Sequence, residues 1–281
     1  MLSYRHIYHA GNFADVFKHV VLLQILRALL RKETAFFVLD THAGIGRYEL
    51  AQAEAQKNRE FDTGVMRVLD CADPPAAVAD YIAQIRALNP VGHELTTYPG
   101  SPYLIRALLR SQDRLVLSEL HPADVIELKR VFAGDKLVAV HQQDAYQGLK
   151  AYLPPAERRG LVLIDPPYER KDEYERVADS LATAYQRWPT GTYVIWYPIL
   201  SRSLVMRFHH AIVGTGIRKI LCAELCIDAD TDRTAFVGSG LLVINPPWQL
   251  KEELSTQLPW LWRCLAQSGQ GRQTVEWLVP E

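Results

Sequence analysis

Residues 35–46 read AFFVLDTHAGIG. An apolar run long enough for a strand ends in an acid, Asp40, and a turn carrying Gly44 and Gly46 follows at once. Glycines in that place let a backbone approach a ligand closely, and in an open α/β sheet ligands bind beyond the carboxyl ends of the strands. Working outward, similar runs recur as RLVLSEL (114–120), LVAVHQQD (137–144), GLVLID (160–165), TYVIWYPI (192–199), KILCAELCI (219–227) and GLLVIN (240–245). Between them ADVIELKRVF (123–132), KDEYERVADSLATAYQRW (171–188) and LVMRFHHAIVG (204–214) have helical spacing and charged faces. Near-continuous apolar strands suit a sheet covered on both sides, so the chain is expected to be a doubly wound α/β fold.

Two segments break the alternation. Residues 9–31 form a helix candidate ahead of the first strand. Residues 51–92 carry helical stretches around DPP (73–75), with Val78, Ile82, Ile85 and Leu88 in a periodicity that needs burial. The closing TVEWLVPE suits an added edge strand.

The chain has 281 residues, 48% of them hydrophobic, enough for a large core. Its longest apolar helix, VVLLQILRALL (20–30), is interrupted by Gln24 and Arg27, and MLSYRH opens without a signal-peptide core, so a soluble cytoplasmic protein is expected. Cys71, Cys222, Cys226 and Cys264 are too scattered for a zinc site and are expected to be reduced core thiols. A net charge of −1 gives no overall cationic field, so any binding of nucleic acid must be local. Residues 201–220 hold Arg202, Arg207, Arg218 and Lys219 without an acid, whereas AELCIDADTD (223–232) is acidic. His6 and His9 have ligand-like spacing but no third ligand follows, so no metal is expected.

Glu119 and Asp144 close the next two runs, as Asp40 closes the first. A carboxylate at the edge of β-strands can accept hydrogen bonds from both ribose hydroxyls, and another can receive an adenine amine. Either can instead cap a helix. Three in succession favour a nucleoside pocket. The third glycine of the dinucleotide fingerprint is missing, which argues against a dehydrogenase.

Two strands end alike, LVLIDPPYER (161–170) and LLVINPPWQL (241–250). In the first, the Asp165 carboxylate and the Pro166 carbonyl can accept hydrogen bonds from one amino group, Pro166 and Pro167 fix the backbone, and Tyr168 offers a stacking face. Such acceptors stabilise the positive charge that grows on an amine attacking a methyl sulfonium, so the loop suits methyl transfer to an aromatic or amide NH₂. Chain order places this loop beside the first strand. The second, after a late and antiparallel strand, should open on the far edge, with Asn245 closing the sheet and Trp248 packing on the last helix.

The blocks MLSYRHIYHAGNFADVFKH, LDTHAGIGRYEL, YPGSP, SELHP, RRGLVLIDPPYE, IWYP, TGIRKILCAEL, GSGLLVINPPW and VPE, in order and over essentially the full length, resemble the RlmJ (formerly YhiR) family of 23S rRNA (adenine(2030)-N6)-methyltransferases. The resemblance implies a Rossmann-like class I S-adenosylmethionine-dependent methyltransferase core, residues 1–50 and 93–281, with an inserted helical subdomain, 51–92. Residues 1–31 would supply a tail and helix covering the cofactor. It further implies catalysis by Asp165, with Pro166, Pro167 and Tyr168 shaping the loop and stacking on adenine. Lys18, His19, His42, Gly44, Ser101, Glu119, Asp144, Ala145 and again Asp165 would lie at S-adenosylmethionine, and Tyr4 at the RNA. His42 stands where methyltransferases at large have glycine. The partner implied is 23S ribosomal RNA, naked or in an assembly intermediate, met by a monomer without metal or membrane. The same loop chemistry serves adenine in DNA and glutamine in protein, and a non-catalytic RNA-binding assembly protein would keep the fold alone.

Overall fold

The computed structural model describes residues 4–89, 95–229 and 236–281. The last residues of the 51–92 stretch, the first three of MLSYRH and the end of AELCIDADTD lie outside them. A 3₁₀ turn at His6–Tyr8 leads into α1 (Phe13–Leu30), whose first turn is capped by Asn12: its side-chain oxygen accepts from the Asp15 amide at 2.9 Å. Then come β1 (Phe37–Asp40), β2 (Arg47–Glu49), four helices α2 (Ala53–Asn58), α3 (Glu60–Thr63), α4 (Val65–Asp70) and α5 (Ala76–Leu88), and β3 (Thr97–Pro99). The remainder alternates as α6 (Ser101–Leu108), β4 (Arg114–Glu119), α7 (Pro122–Val131), β5 (Val138–Gln142), α8 (Ala145–Tyr152), β6 (Gly160–Ile164), α9 (Glu173–Arg187), β7 (Thr192–Ile199) and α10 (Arg202–Gly214). It closes with β8 (Ile220–Cys226), β9 (Gly238–Ile244), α11 (Leu250–Leu265) and β10 (Arg272–Val279).

Eight strands form one sheet in the order β10-β8-β9-β7-β6-β1-β4-β5. From β5 to β7 every pairing is parallel, and β9 slots antiparallel between β7 and β8. This is the order of a Rossmann-like class I methyltransferase sheet, with β10 added antiparallel at the edge where TVEWLVPE was expected. The chain reverses its direction of travel across the sheet at β1, flanked by β4 and β6, and such a switch point opens a crevice at the strands' carboxyl ends. β1 and β6 are buried throughout, as their unbroken apolar runs require.

Helix α1 has apolar residues on every face, with Asp15, Lys18, His19 and Gln24 set among them, and is buried from Phe13 to Leu26. Val65, Val68, Val78, Tyr81, Ile82 and Ile85 of the four helices join the same buried cluster as α1. Among the described residues no helix is long and apolar enough to cross a membrane.

Two expectations fail. Cys222 and Cys226 are free and buried, but Cys71 and Cys264 are joined as a disulfide between the end of α4 and α11. They are 193 residues apart in sequence, and only the packing of α11 on α4 brings them together. Trp248 does not pack on the last helix; it is 84% exposed. The turn between left-handed Asn245 (φ 51) and Gln249 (φ 69) aims it at solvent, and α11 buries Leu250, Leu254, Leu258 and Trp260 in its place.

Candidate active site

A cavity of about 450 Å³ opens at the switch point, large enough for a nucleoside-sized ligand. It is lined by Tyr4, Lys18, His19, His42, Gly44, Ser101, Glu119, Asp144, Ala145, and Asp165 through Tyr168, whereas Asp40 and Gly46, also singled out at the first strand's end, lie behind the wall: Asp40 is fully buried and Gly46 packs against Leu128 and Phe132.

At the end of β6, Asp165 Oδ2 lies 2.5 Å from Lys18 Nζ, which also sits 3.0 Å from Asp15 Oδ1. Lys18 and Asp15 are almost wholly buried. Burial pushes the Lys18 ammonium towards neutrality, but Asp165 and Asp15 more than offset this and raise its pKa. Burial likewise pushes Asp15 up, and His6 and Lys18 override it to hold the carboxyl well below its ordinary range. Besides lining the cavity, Lys18 faces the DPPY carboxylate and the Trp196 ring, 5.7 Å away. Tyr168 is held with φ 50, donates its hydroxyl to the Trp196 carbonyl at 2.8 Å and packs its ring 4.5 Å from that of Tyr174.

The wall formed by β1 and β4 is set by backbone contacts. Glu119 accepts the Gly44 amide on Oε2 at 2.8 Å and the His121 amide on Oε1 at 2.7 Å. Burial raises its pKa all the same. An ionised carboxylate has about four acceptor positions, so each oxygen keeps capacity for a ligand hydroxyl. Gly44 is left-handed (φ 58), and a Cβ there would come within 2.3 Å of the Tyr48 hydroxyl. Asp40 is fully buried and accepts from the Ser101 hydroxyl at 2.7 Å and the His42 amide at 3.2 Å. Burial, against the help of Ser101, lifts its pKa to about 7.

His19 and His42 are kept neutral. Burial, with Lys18 and His6 adding, depresses His19 to about 3, and burial takes His42 to about 4. His19 Nδ1 is 2.9 Å from the Tyr98 hydroxyl, and His42 Nδ1 accepts from the Asp165 amide at 3.4 Å. Asp144 caps α8, accepting from the Tyr146 and Gln147 amides at 2.9 and 3.2 Å, and its other oxygen is 3.6 Å from Arg176. The cap that the sequence left open is therefore present, at a position that also lines the cavity.

The N-terminal segment crosses the cavity. Tyr4 shares a 2.7 Å hydrogen bond with His6 Nδ1, His6 Nε2 donates to Asp15 Oδ2 at 2.9 Å, and Arg5 lies 3.0 Å from Asp124 of α7. His6 and His9 are thus engaged by Asp15 and Glu60. A separate buried group, His209, Cys222 and Glu224, has its ligand atoms within 4.8 Å of one another. The Tyr197 hydroxyl donates to Glu224 at 2.9 Å and lies 2.9 Å from His209, and Arg202 and Arg272 neutralise the carboxylate.

The sequence reading missed Asp15, Trp196, Tyr146 and Arg176, all on the cavity wall. Asp15 had a signal: an Asp and a Lys three residues apart inside a helix with apolar residues on every face. Arg176 and Tyr146 had none, because their contact, 4.6 Å between guanidinium and ring, depends on α8 packing against α9. At the far edge of the sheet, Asn245 donates to the Pro189 and Gly191 carbonyls at 2.9 and 2.8 Å, joining β9 to the start of β7 as expected.

A Rossmann-like sheet with an Asp-Pro-Pro-Tyr loop and a glycine turn meeting at its switch point defines a class I methyltransferase. Within that class the chain belongs to the family described as "Ribosomal RNA large subunit methyltransferase D, RlmJ", whose model matches residues 33–279. It is 49% identical to Ribosomal RNA large subunit methyltransferase J of Haemophilus influenzae and 47% identical to the protein of that name in Escherichia coli K12, each over 100% of both chains. The crystal structure of protein LPL1258 from Legionella pneumophila shares the fold, with a TM-score of 0.88 at 36% identity, covering 96% of this chain and 98% of that one.

Proposed function

We propose that this chain methylates the N6 amine of one adenine in 23S ribosomal RNA, the nucleotide at position 2030, with S-adenosylmethionine as donor. The observation that carries the reading is the placement of Asp165 and the Gly44 turn on two adjoining strands around one cavity. The relatives named above, methyltransferases of large-subunit ribosomal RNA, support the substrate class.

The wall fits the cofactor chemically. Glu119 keeps acceptor capacity for ribose hydroxyls, the left-handed Gly44 leaves room that a side chain would fill, and Asp144 on the same wall can receive the adenine amine of the cofactor. His19, His42, Ser101 and Ala145 complete the binding wall. When bound, S-adenosylmethionine supplies an electrophilic methyl group. Asp165 Oδ1 and the Pro166 carbonyl then accept hydrogen bonds from the adenine amine, because Oδ2 is taken by Lys18. Lys18 stays charged, so it orients Asp165, and the proton leaves the methylated nitrogen along its hydrogen bond to Asp165 Oδ1. Tyr168 stacks on the base, which must leave its own stack to arrive, and Tyr4 meets the RNA at the mouth.

We further read residues 51–92 as an inserted helical subdomain and the protein as a cytoplasmic monomer. The function is tested by incubating the protein with labelled cofactor and separate pools of unmodified ribosomal RNA, DNA and protein. Label in RNA alone supports the proposal; label in DNA or protein redirects it.

A further inference from the structure

Helix α2 stops at Arg59, a non-glycine residue held left-handed (φ 49), and α3 begins at once with Glu60. Left-handed backbone strains an ordinary side chain and persists where its surroundings over-determine it. Here the break turns Glu60 towards the N-terminal segment. Oε1 accepts from His9 Nδ1 at 2.8 Å and Oε2 from Asn12 Nδ2 at 2.9 Å, so both carboxylate oxygens are committed to that segment. Four residues on, Gly64 lies so close beneath the same turn that a Cβ would come within 2.1 Å of the Gly11 carbonyl oxygen. That oxygen accepts the Val65 amide at 2.8 Å. His9 passes the contact to the cavity: its ring is stacked on that of Tyr4, 5.5 Å between centroids and 11° from parallel.

We propose that Glu60 is a positioning residue for methyl transfer: through His9 it holds Tyr4, and with it the N-terminal segment, across the cavity. The helices from 53 to 70 are then the seat of a cover, and their insertion into the fold has a task at the active site. This rests on the methyltransferase reading. Asn12 couples the same carboxylate to α1, because its other side-chain atom caps the helix that carries Asp15 and Lys18.

The latch has a charge dependence that a purely steric seat would lack. The hydrogen bond to Glu60 raises His9 above its ordinary 6.5 against the effect of burial, with Asp15 adding. Burial pushes Glu60 up from 4.5, but His9 and Asn12 bring it below. The charged groups facing His9 are Glu60 from α3 and Asp15 from α1, with Tyr4 on its own segment. The ion pair is therefore complete between the lowered value of Glu60 and the raised value of His9. It weakens as pH rises through the latter.

The test compares full-length wild type, Glu60→Ala, Glu60→Gln and the charge-removal control Asp70→Asn by amide hydrogen exchange over residues 5–11 and calorimetric binding of S-adenosylhomocysteine. Both are measured at about pH 6 and at about pH 8.5, because His9 loses its charge as pH rises through its raised value. In Glu60→Ala, exchange over this segment should quicken at least about tenfold and affinity fall about fivefold or more, with neither change in Asp70→Asn. Wild-type affinity should weaken more between the lower and the higher pH than that of Glu60→Gln, which keeps only the dependence contributed by groups such as Asp40. Unaltered exchange in Glu60→Ala overturns the latch. Faster exchange with unaltered affinity and unaltered transfer to ribosomal RNA overturns the positioning role while leaving the methyltransferase reading intact. A wild type that binds no probe overturns both.

Discussion

Lys18 Nζ stands 2.5 Å from Asp165 Oδ2 and 3.0 Å from Asp15 Oδ1, so one buried cation serves two carboxylates from distant parts of the chain. The contact ties α1 to the loop after β6 and leaves one oxygen of Asp165 for an incoming amine. It also explains how two acids persist in a pocket shielded from water: neither is left without a partner.

Removing the shared cation should be costly to both fold and chemistry. Lys18→Ala takes the cation from Asp165 and leaves Asp15 with only His6 and the Gly11 amide, and breaking such a buried pair typically destabilises by about 3–5 kcal/mol. Denaturant unfolding should show that loss near neutral pH, and Lys18→Ala/Asp15→Asn should recover part of it. Additive losses would mean that the two side chains are not coupled.

Asn245 and Asp165 end similar strand motifs at opposite edges of the sheet, and they should fail differently. Asn245→Ala removes hydrogen bonds to the Pro189 and Gly191 carbonyls, costing about 1–2 kcal/mol, with methyl transfer by the folded protein unchanged. Asn245→Gly, which relieves the positive φ, should lose less than Asn245→Ala. A stable Asn245→Ala protein without activity would show that the wrong proline loop had been assigned.

Much of this was legible before the fold was seen. The seven apolar runs all became strands, six of them buried inside the sheet where a continuous apolar signature is required and β5 half-exposed at its edge, and the order of acids and glycines along them placed the crevice. Trp248 misled because an aromatic after two prolines is as compatible with an outward turn as with packing, and left-handed φ at Asn245 is invisible in a residue name. The Cys71–Cys264 disulfide and the Arg176–Tyr146 contact arise from helix packing between segments with no local pattern. The neutral histidines followed the same rule: the resemblance pointed to His19 and His42, and only their burial shows that they are uncharged.

Gly44 should not tolerate a side chain. Gly44→Ala sets a Cβ against the Tyr48 hydroxyl at a left-handed position, and it disturbs the amide held by Glu119. The expected loss is about 1–2 kcal/mol in stability, with weaker S-adenosylhomocysteine binding by calorimetry. Wild-type affinity in a Gly44→Ala protein would remove the β1 turn from the cofactor site.

Stability should vary with pH through Asp40. Its folded pKa is raised to about 7 from 3.8, so between these values the folded state keeps a proton that the unfolded chain releases, and stability falls as pH rises. His19 and His42 act oppositely: depressed to about 3 and about 4, they refuse protons that the unfolded chain binds below 6.5, and stability falls as pH drops. Asp40→Asn should therefore stabilise the protein at about pH 8, by an amount on the order of 4 kcal/mol at most, and flatten the alkaline side of the profile. Thermal melts across pH check this; an unchanged alkaline slope in Asp40→Asn would contradict it.

The most direct test is methyl transfer by wild type and Asp165→Ala to 23S ribosomal RNA from ribosomes lacking the modification, followed by mapping of the labelled nucleotide and calorimetry with S-adenosylhomocysteine. Wild type should label one adenine at N6. Asp165→Ala should transfer nothing while binding the probe within severalfold of wild type. Undiminished transfer by Asp165→Ala, or label on a group other than an adenine amine, would contradict the assignment of this site.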